Sequence, residues 1–185
     1  MMNNLQKKWF QHNPMAIMSY LSLYRKKEPL YGSKIASAVG LSVGSVSEIL
    51  RQLAEIGVVQ INPVGRTMSC SVEDGHPLLK ALRVFENQLM IEPLVSNIKH
   101  DARQIILFGS CATGDDLIDS DIDLFLLADD TDSIRDKVSD FLGKREINLV
   151  VVNPMELTIM EVDDKVFLSE IRKGIMLWEA DHEDR

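Results

Sequence analysis

Cysteine is scarce in this chain: Cys70 and Cys111 are the only two in 185 residues. They stand apart, with no CxxC spacing and no neighbouring histidines, which argues against a zinc module and against a disulfide framework. Long apolar runs are missing as well. Each falls far short of the ~20 residues that cross a bilayer, and the first residues show no secretory-leader pattern. A reducing cytoplasm is the expected setting, without a membrane. Nor is there a Gly-, Ser- or Pro-rich linker, so any two modules are expected to be joined stiffly, through helices.

What is present is ample core-forming material and an uneven charge. Hydrophobic residues make up 45% of the chain, enough for one large or two small domains. Residues 1–100 carry 11 Lys and Arg against 7 Asp and Glu, whereas residues 101–185 carry 9 against 21. The formal net charge of −8 therefore combines a mildly basic first half with a strongly acidic second half. Such asymmetry predicts two modules with different partners. The first is compatible with nucleic acid; the second is a poor nucleic-acid surface unless a cation offsets its charge.

In chain order, residues 1–13 read as a polar arm. Asn13-Pro14 reads as N-cap and first helical position of a helix over 14–26, with Ile17, Leu21 and Tyr24 at helical spacing. A short helix over 31–39 follows, stopped by Gly40. Ser42 caps a third helix running to about Ile56, with Val46, Ile49, Leu50 and Leu53 on its inner face. Residues 58–61 and 67–72, joined through Asn62-Pro63-Val64-Gly65, read as a two-stranded hairpin.

Helix, helix, turn, helix, hairpin is the order of a winged helix-turn-helix, and the run from Leu30 to Val59, with its Gly40-Leu41-Ser42 turn, resembles ArsR/MarR-type transcriptional regulators. The resemblance implies DNA as partner, with the start of the third helix in the major groove. The candidate contacts are Ser42, Val43, Gly44, Ser45, Ser47, Glu48, Arg51 and Gln52, with Arg66 at the hairpin tip on phosphate or in the minor groove. Glu48 and a single arginine make weak electrostatics for DNA. A wing used only for dimerisation or protein docking stays open. A helix over 77–91 (Leu78, Leu79, Leu82, Phe85, Leu89) is expected to close this domain and to pair two copies, together with the first helix, into a homodimer. Pro93 is expected to break or kink the helix, with 92–100 as the first helix of the second domain. The predicted domains are 1–91 and 92–185, with the boundary near Met90–Glu92.

The second half is organised around one stretch. An apolar run over 104–108 ends in Gly109-Ser110; ten residues later Ser120-Asp121-Ile122-Asp123 leads into a second apolar run over 122–128. Side chains at i and i+2 of a strand share a face, so Asp121 and Asp123 are expected side by side. Paired carboxylates repel unless a cation neutralises them, and hard oxygen ligands suit Mg²⁺ held together with substrate phosphates. Glycine permits a tight turn at a strand-to-helix junction, where free amides can face phosphate oxygens. Cys111, next to Ser110, reads as a small buried residue in preference to a nucleophile. Beyond it the pattern predicts a turn over 129–132, a helix over 133–142 closed by Gly143, a strand over 146–152, helices over 154–161 and 164–173, and a last strand after Gly174.

The Gly-Ser, ten-residue gap, Ser-Asp-x-Asp pattern, with Gly114 four residues after Ser110, resembles the DNA polymerase β-like nucleotidyltransferases, above all the minimal nucleotidyltransferase group. The resemblance implies an α/β fold with a mixed sheet, NTP as substrate or ligand, and transfer of a nucleoside monophosphate to a hydroxyl. It places Gly109, Ser110, Gly114 and Ser120 at the nucleotide and Asp121 and Asp123 on Mg²⁺, in a site that can take two metals. A third carboxylate on the next strand removes the proton in that family; here the matching Ile147-Asn148-Leu149-Val150 holds Asn148. Asparagine is neutral and accepts no proton as a carboxylate does, which puts a second metal and turnover in question. Glu146, two residues earlier, either substitutes in part or is an exposed charge at a strand start. Three functions are compatible with the chain: an active nucleotidyltransferase, with a HEPN-type protein among its possible partners; a DNA-binding regulator that senses nucleotide without turnover; and an antitoxin-like protein whose acidic surface binds a basic partner.

Overall fold

The computed structural model describes residues 12–23, 29–64, 67–73, 75–117, 119–141 and 145–180. The expected arm, except its last two residues, lies outside them, as do Tyr24, the hairpin-tip residues Gly65 and Arg66, and the expected helix stop Gly143. The chain divides into two compact units, one ending at Arg83 and the other starting at Val84. The expected boundary lay later, near Met90–Glu92.

The first unit contains α1 (His12–Ser22), β1 (Leu30–Tyr31), α2 (Gly32–Val39), α3 (Val43–Glu55), β2 (Val59–Val64) and β3 (Thr67–Val72). Its strands form an antiparallel sheet in the order β1-β3-β2. Ser42 caps α3 as expected: its side chain accepts the amide of Ser45 at 3.1 Å, meeting one of the donors that a helix start leaves unpaired. Val46, Ile49, Leu50 and Leu53 recur at 3.6-residue spacing and are buried with Ile17, Leu21, Ile35 and Val58 in one core.

Three local expectations are corrected here. Asn13 lies inside α1 instead of capping it, since a proline in a first turn forfeits only an amide with no helical acceptor. Leu30 and Tyr31 form a strand against Cys70 and Ser69, so the second helix starts at Gly32. Asn62, Pro63 and Val64 extend β2 opposite Ser69, Met68 and Thr67 instead of turning. Proline is tolerated there because β2 is an edge strand.

The helix α4 (Pro77–Ile98) is continuous through Pro93, where a break or a kink was expected; it does not break. A helix-interior proline costs about 3 kcal/mol. Against that, Ile91, Leu94, Val95 and Ile98 are all buried in one core, each side chain being worth roughly 1.5–3 kcal/mol. Pro93 itself is exposed, so water can serve the carbonyl it leaves unpaired. No described helix is long and apolar enough to cross a membrane.

The second unit continues with β4 (Gln104–Phe108), α5 (Gly109–Thr113), β5 (Ile122–Leu127), α6 (Thr131–Ser139), β6 (Ile147–Val152), α7 (Pro154–Asp163), α8 (Lys165–Arg172) and β7 (Ile175–Glu179). These strands form the expected mixed sheet, in the order β6-β5-β4-β7. β4 pairs antiparallel with β5 and β7, while β5 and β6 run parallel, as the intervening α6 allows. Alternation sorts the strand residues into two cores. Ile105, Leu107, Leu124, Leu126 and Val151 pack with Ile134 of α6 and the second half of α4; Ile106, Phe108, Phe125 and Val152 pack with Leu168 and Ile171 of α8. α6 starts at Thr131, earlier than expected, because Asp130 caps it through the Ser133 amide at 3.0 Å. At Gly174 a Cβ would run into the carbonyl oxygen of Leu107, so the chain passes from α8 to β7 against the backbone of β4 only without a side chain.

Candidate functional site

The centre of the second unit is where β4 and β5 meet the start of α5. Phe108, the last residue of β4, stands opposite Asp123, which brings the next residue, Gly109, beneath the Asp123 carboxylate. Gly109 has φ +67°, and a Cβ built on it would collide with that carboxylate. Asp123 therefore requires the missing side chain, the backbone angle is one that glycine adopts without strain, and the glycine of the Gly-Ser pair and the second aspartate of Asp-x-Asp are brought together. Ser110 follows in the first turn of α5. Gly114 is buried at the other end of that helix with φ +72°, and its amide returns to the Ser110 carbonyl.

Between α5 and β5 the chain makes a loop held from within. The Leu117 amide donates to the Ser120 hydroxyl oxygen at 2.8 Å, and the Ser120 amide to the Leu117 carbonyl at 3.1 Å. The side chain of Ser120 thus fixes the approach to Asp121. Asp121 is exposed and is the last loop residue, because the strand β5 begins at Ile122, as expected; of the two aspartates only Asp123 stands within the strand. Asp123 is half-buried and stands beside Asn148 in the parallel β5–β6 register. Asn148 donates from its amide nitrogen to Asp123 Oδ1 at 2.9 Å.

Asp121 and Asp123 are hard oxygen donors of the type magnesium takes, one or two carboxylates with water and phosphate in its remaining positions. Among the described residues no three His, Cys, Asp or Glu side chains gather into a metal-holding group. Glu146 is exposed at the entry to β6, where its carbonyl accepts the Ile122 amide at 2.9 Å.

The structure also shows a buried network that sequence reasoning missed. Asp116 is fully buried and pairs with Arg145, its Oδ2 lying 2.8 Å from the guanidinium. Asn87 of α4 donates to Asp116 Oδ1 at 2.9 Å and to the Cys111 carbonyl at 3.1 Å. Arg145 also reaches the carbonyl of Ser120 at 2.6 Å and that of Asp121 at 3.4 Å. Nothing in local spacing links these residues, and Arg145 is one of five arginines in the acidic half, with no local signal to single it out. Cys111 is fully buried in the same network, and its thiol donates to the Asp121 carbonyl at 3.3 Å. Burial pushes that thiol above its ordinary pKa, partly opposed by the nearby Arg145 charge. It is a packed residue and not a nucleophile.

In the first unit the residues singled out for DNA lie along α3. Val43, Gly44, Ser45, Glu48 and Arg51 are exposed, and Ser47 and Gln52 half-buried. Ser42 and Ser45 share a hydroxyl hydrogen bond of 2.8 Å. Glu48 engages both Arg51, at 3.4 Å, and Gln52, at 3.0 Å. The only arginine on this face is therefore paired with a carboxylate. Arg66 lies outside the described residues.

Comparison with known protein families matches residues 91–183 to the family described as "Polymerase beta, Nucleotidyltransferase", just over half of the chain. The search of curated proteins returned no match. The matched segment contains β4 to β7, the Gly109–Ser110 turn, Asp121, Asp123 and Asn148, so the chain belongs to the polymerase beta nucleotidyltransferase family.

Proposed function

We propose that the second unit binds a nucleoside triphosphate with one magnesium ion and transfers its nucleoside monophosphate to a hydroxyl, at a low rate. The observation that carries this reading is the packing of Gly109 beneath the Asp123 carboxylate, which sets the Gly-Ser turn against the second aspartate of the Asp-x-Asp pair inside a domain of this family. Asp121 and Asp123 would hold the magnesium, and Gly109 and Ser110 the phosphate tail, with Gly114 and Ser120 fixing the two ends of the segment between them. When bound, magnesium neutralises phosphate charge and favours departure of pyrophosphate. In the transfer, the acceptor oxygen forms a bond to the α-phosphorus, the bond from that phosphorus to the β-phosphate oxygen breaks, and the hydroxyl proton passes to a base. Asn148 cannot take that proton, and its amide occupies Asp123 Oδ1. Proton removal then falls to water or to the acceptor's own environment, which is why a low rate is expected.

The test is pyrophosphate release from each of the four common NTPs with Mg²⁺, set beside calorimetric titration of the same nucleotides. Release that disappears in Asp121→Ala supports the reading. A chain that neither binds nucleotide nor releases pyrophosphate refutes it.

A second reading has its own support in the amide seated on Asp123: nucleotide bound without turnover, as a signal to a DNA-binding first unit. The order helix, short strand, helix, turn, helix and paired strands in residues 12–72 is compatible with a winged helix, in which α3 would be the recognition helix and a two-fold dimer the working form. Ser45, Ser47, Arg51 and Gln52 would approach base edges, with Glu48 releasing Arg51 on contact. Salt-dependent retention of DNA from upstream of its own gene, weakened by Arg51→Ala, supports this reading; retention equal to that of unrelated DNA at all salt concentrations removes it.

A further inference from the structure

We propose that Arg145 is a positioning residue for the magnesium-binding aspartate, clamping the backbone of Ser120 and Asp121 from inside the protein while Asp116 and Asn87 hold its guanidinium in place. The guanidinium is used on every side. Its Nε donates to the Ser120 carbonyl at 2.6 Å; one terminal nitrogen meets Asp116 Oδ2 at 2.8 Å and Asn87 Oδ1 at 3.2 Å; the other meets the Cys111 sulfur at 3.1 Å and the Asp121 carbonyl at 3.4 Å. The side chains of Arg145 and Asp116 are 8% and 0% exposed.

Stability alone is a weak reason for such a pair. Desolvating two charges costs several kcal/mol per ion, and well-packed apolar residues often serve a fold as well or better. What the pair supplies that an apolar pair cannot is direction. A planar fork with five donors fixes two successive carbonyls, and with them the place where Asp121 is presented at the entry to β5. Among the described residues, the other contacts to the loop end of Asp121 are the Ser120–Leu117 turn and the Cys111 thiol. Partners of this kind, one step behind a metal ligand, commonly change metal affinity by about 10–100-fold.

This inference rests on the proposal that Asp121 holds magnesium, and its test keeps the two apart. Mn²⁺, standing in for Mg²⁺, is titrated into the full chain with and without ATP and followed by its electron paramagnetic resonance signal. Amide hydrogen exchange is followed over residues 115–123 in the same samples. Asp121→Asn reports on the site itself. Arg145→Lys keeps the charge but loses the fork, and the double change Arg145→Met, Asp116→Leu replaces the ion pair with apolar bulk that can fold even if the single variant does not. The expected result is Mn²⁺ affinity lower by about 10-fold or more in both variants, with faster exchange confined to residues 115–123 and far-ultraviolet circular dichroism unchanged. Wild-type affinity and wild-type exchange in both variants overturn the inference. If the wild-type chain takes up no Mn²⁺ at all, the proposed function fails; the exchange data then decide the clamp by themselves, and unchanged exchange rejects it.

Discussion

Replacing Asn148 with aspartate probes the site at its most distinctive contact. The amide nitrogen lies 2.9 Å from Asp123 Oδ1. Asn148→Asp deletes that hydrogen bond and sets two carboxylates next to each other. At about 3 Å two unit charges repel by roughly 5 kcal/mol at an effective dielectric of 20 and by roughly 1.4 kcal/mol in water. Asn148 is exposed and Asp123 half-buried, so the value lies near the lower figure. The lost bond to a charged acceptor adds about 1 kcal/mol once its exposure is allowed for. The expected destabilisation without metal is about 2 kcal/mol, or roughly 10 °C in Tm for a unit of this size. Mg²⁺ should restore most of that loss, because the third carboxylate becomes a ligand, and pyrophosphate release should rise. Asn148→Ala removes the donor without adding charge; it should lose about 1 kcal/mol and gain nothing special from Mg²⁺. Thermal melts in chelator and in a Mg²⁺ series check both variants. Equal melting of Asn148→Asp and wild type in chelator, or an equal Mg²⁺ response in both, would refute the reasoning.

Three other outcomes are expected. Gly109→Ala forces a side chain into a left-handed backbone, costing about 1–2 kcal/mol, and drives the Asp123 carboxylate from its place; urea melts should show the loss, and calorimetry should show nucleotide affinity falling with it. Leu124→Ala empties a fully buried position between sheet and helices and should cost about 2–5 kcal/mol in urea denaturation. Burial raises the Cys70 thiol from 9.0 to about 11. The folded form keeps its proton while the unfolded chain loses it, so this contribution is intact below pH 9 and is lost as pH rises towards 11. Cys70 should accordingly resist a thiol reagent at pH 8 in the native protein and react on unfolding; rapid native labelling, read by mass spectrometry, would contradict its burial.

Features that speak through short-range pattern were readable from the chain. Alternation in Ile105–Phe108 and Ile122–Leu127 shows in the two cores that those strands serve, the Ser42 cap sits where its residue type puts it, and Gly109 meets Asp123 across the spacing that singled both out. What escaped depends on tertiary context. A two-residue strand such as Leu30–Tyr31 exists only because β3 is there to pair with it. Pro93 obeys the core beneath the helix more than its own propensity. The Asn87–Asp116–Arg145 network joins residues 29 and 58 positions apart, a reach that no local pattern encodes.

The outermost strand β6 carries a liability of its own. Ile147 to Val152 is six residues without a formal charge, mostly β-branched, at the rim of the four-stranded sheet. A ribbon of that composition is a template for self-association whenever the sheet opens. The chain brackets it with the exposed Glu146 on one side and with Asn153-Pro154 on the other, where the helix cap and the imide end any further pairing. Refolding yield should therefore fall with protein concentration, and the same bracket shows how the chain keeps a sticky strand out of trouble while it lines a polar site.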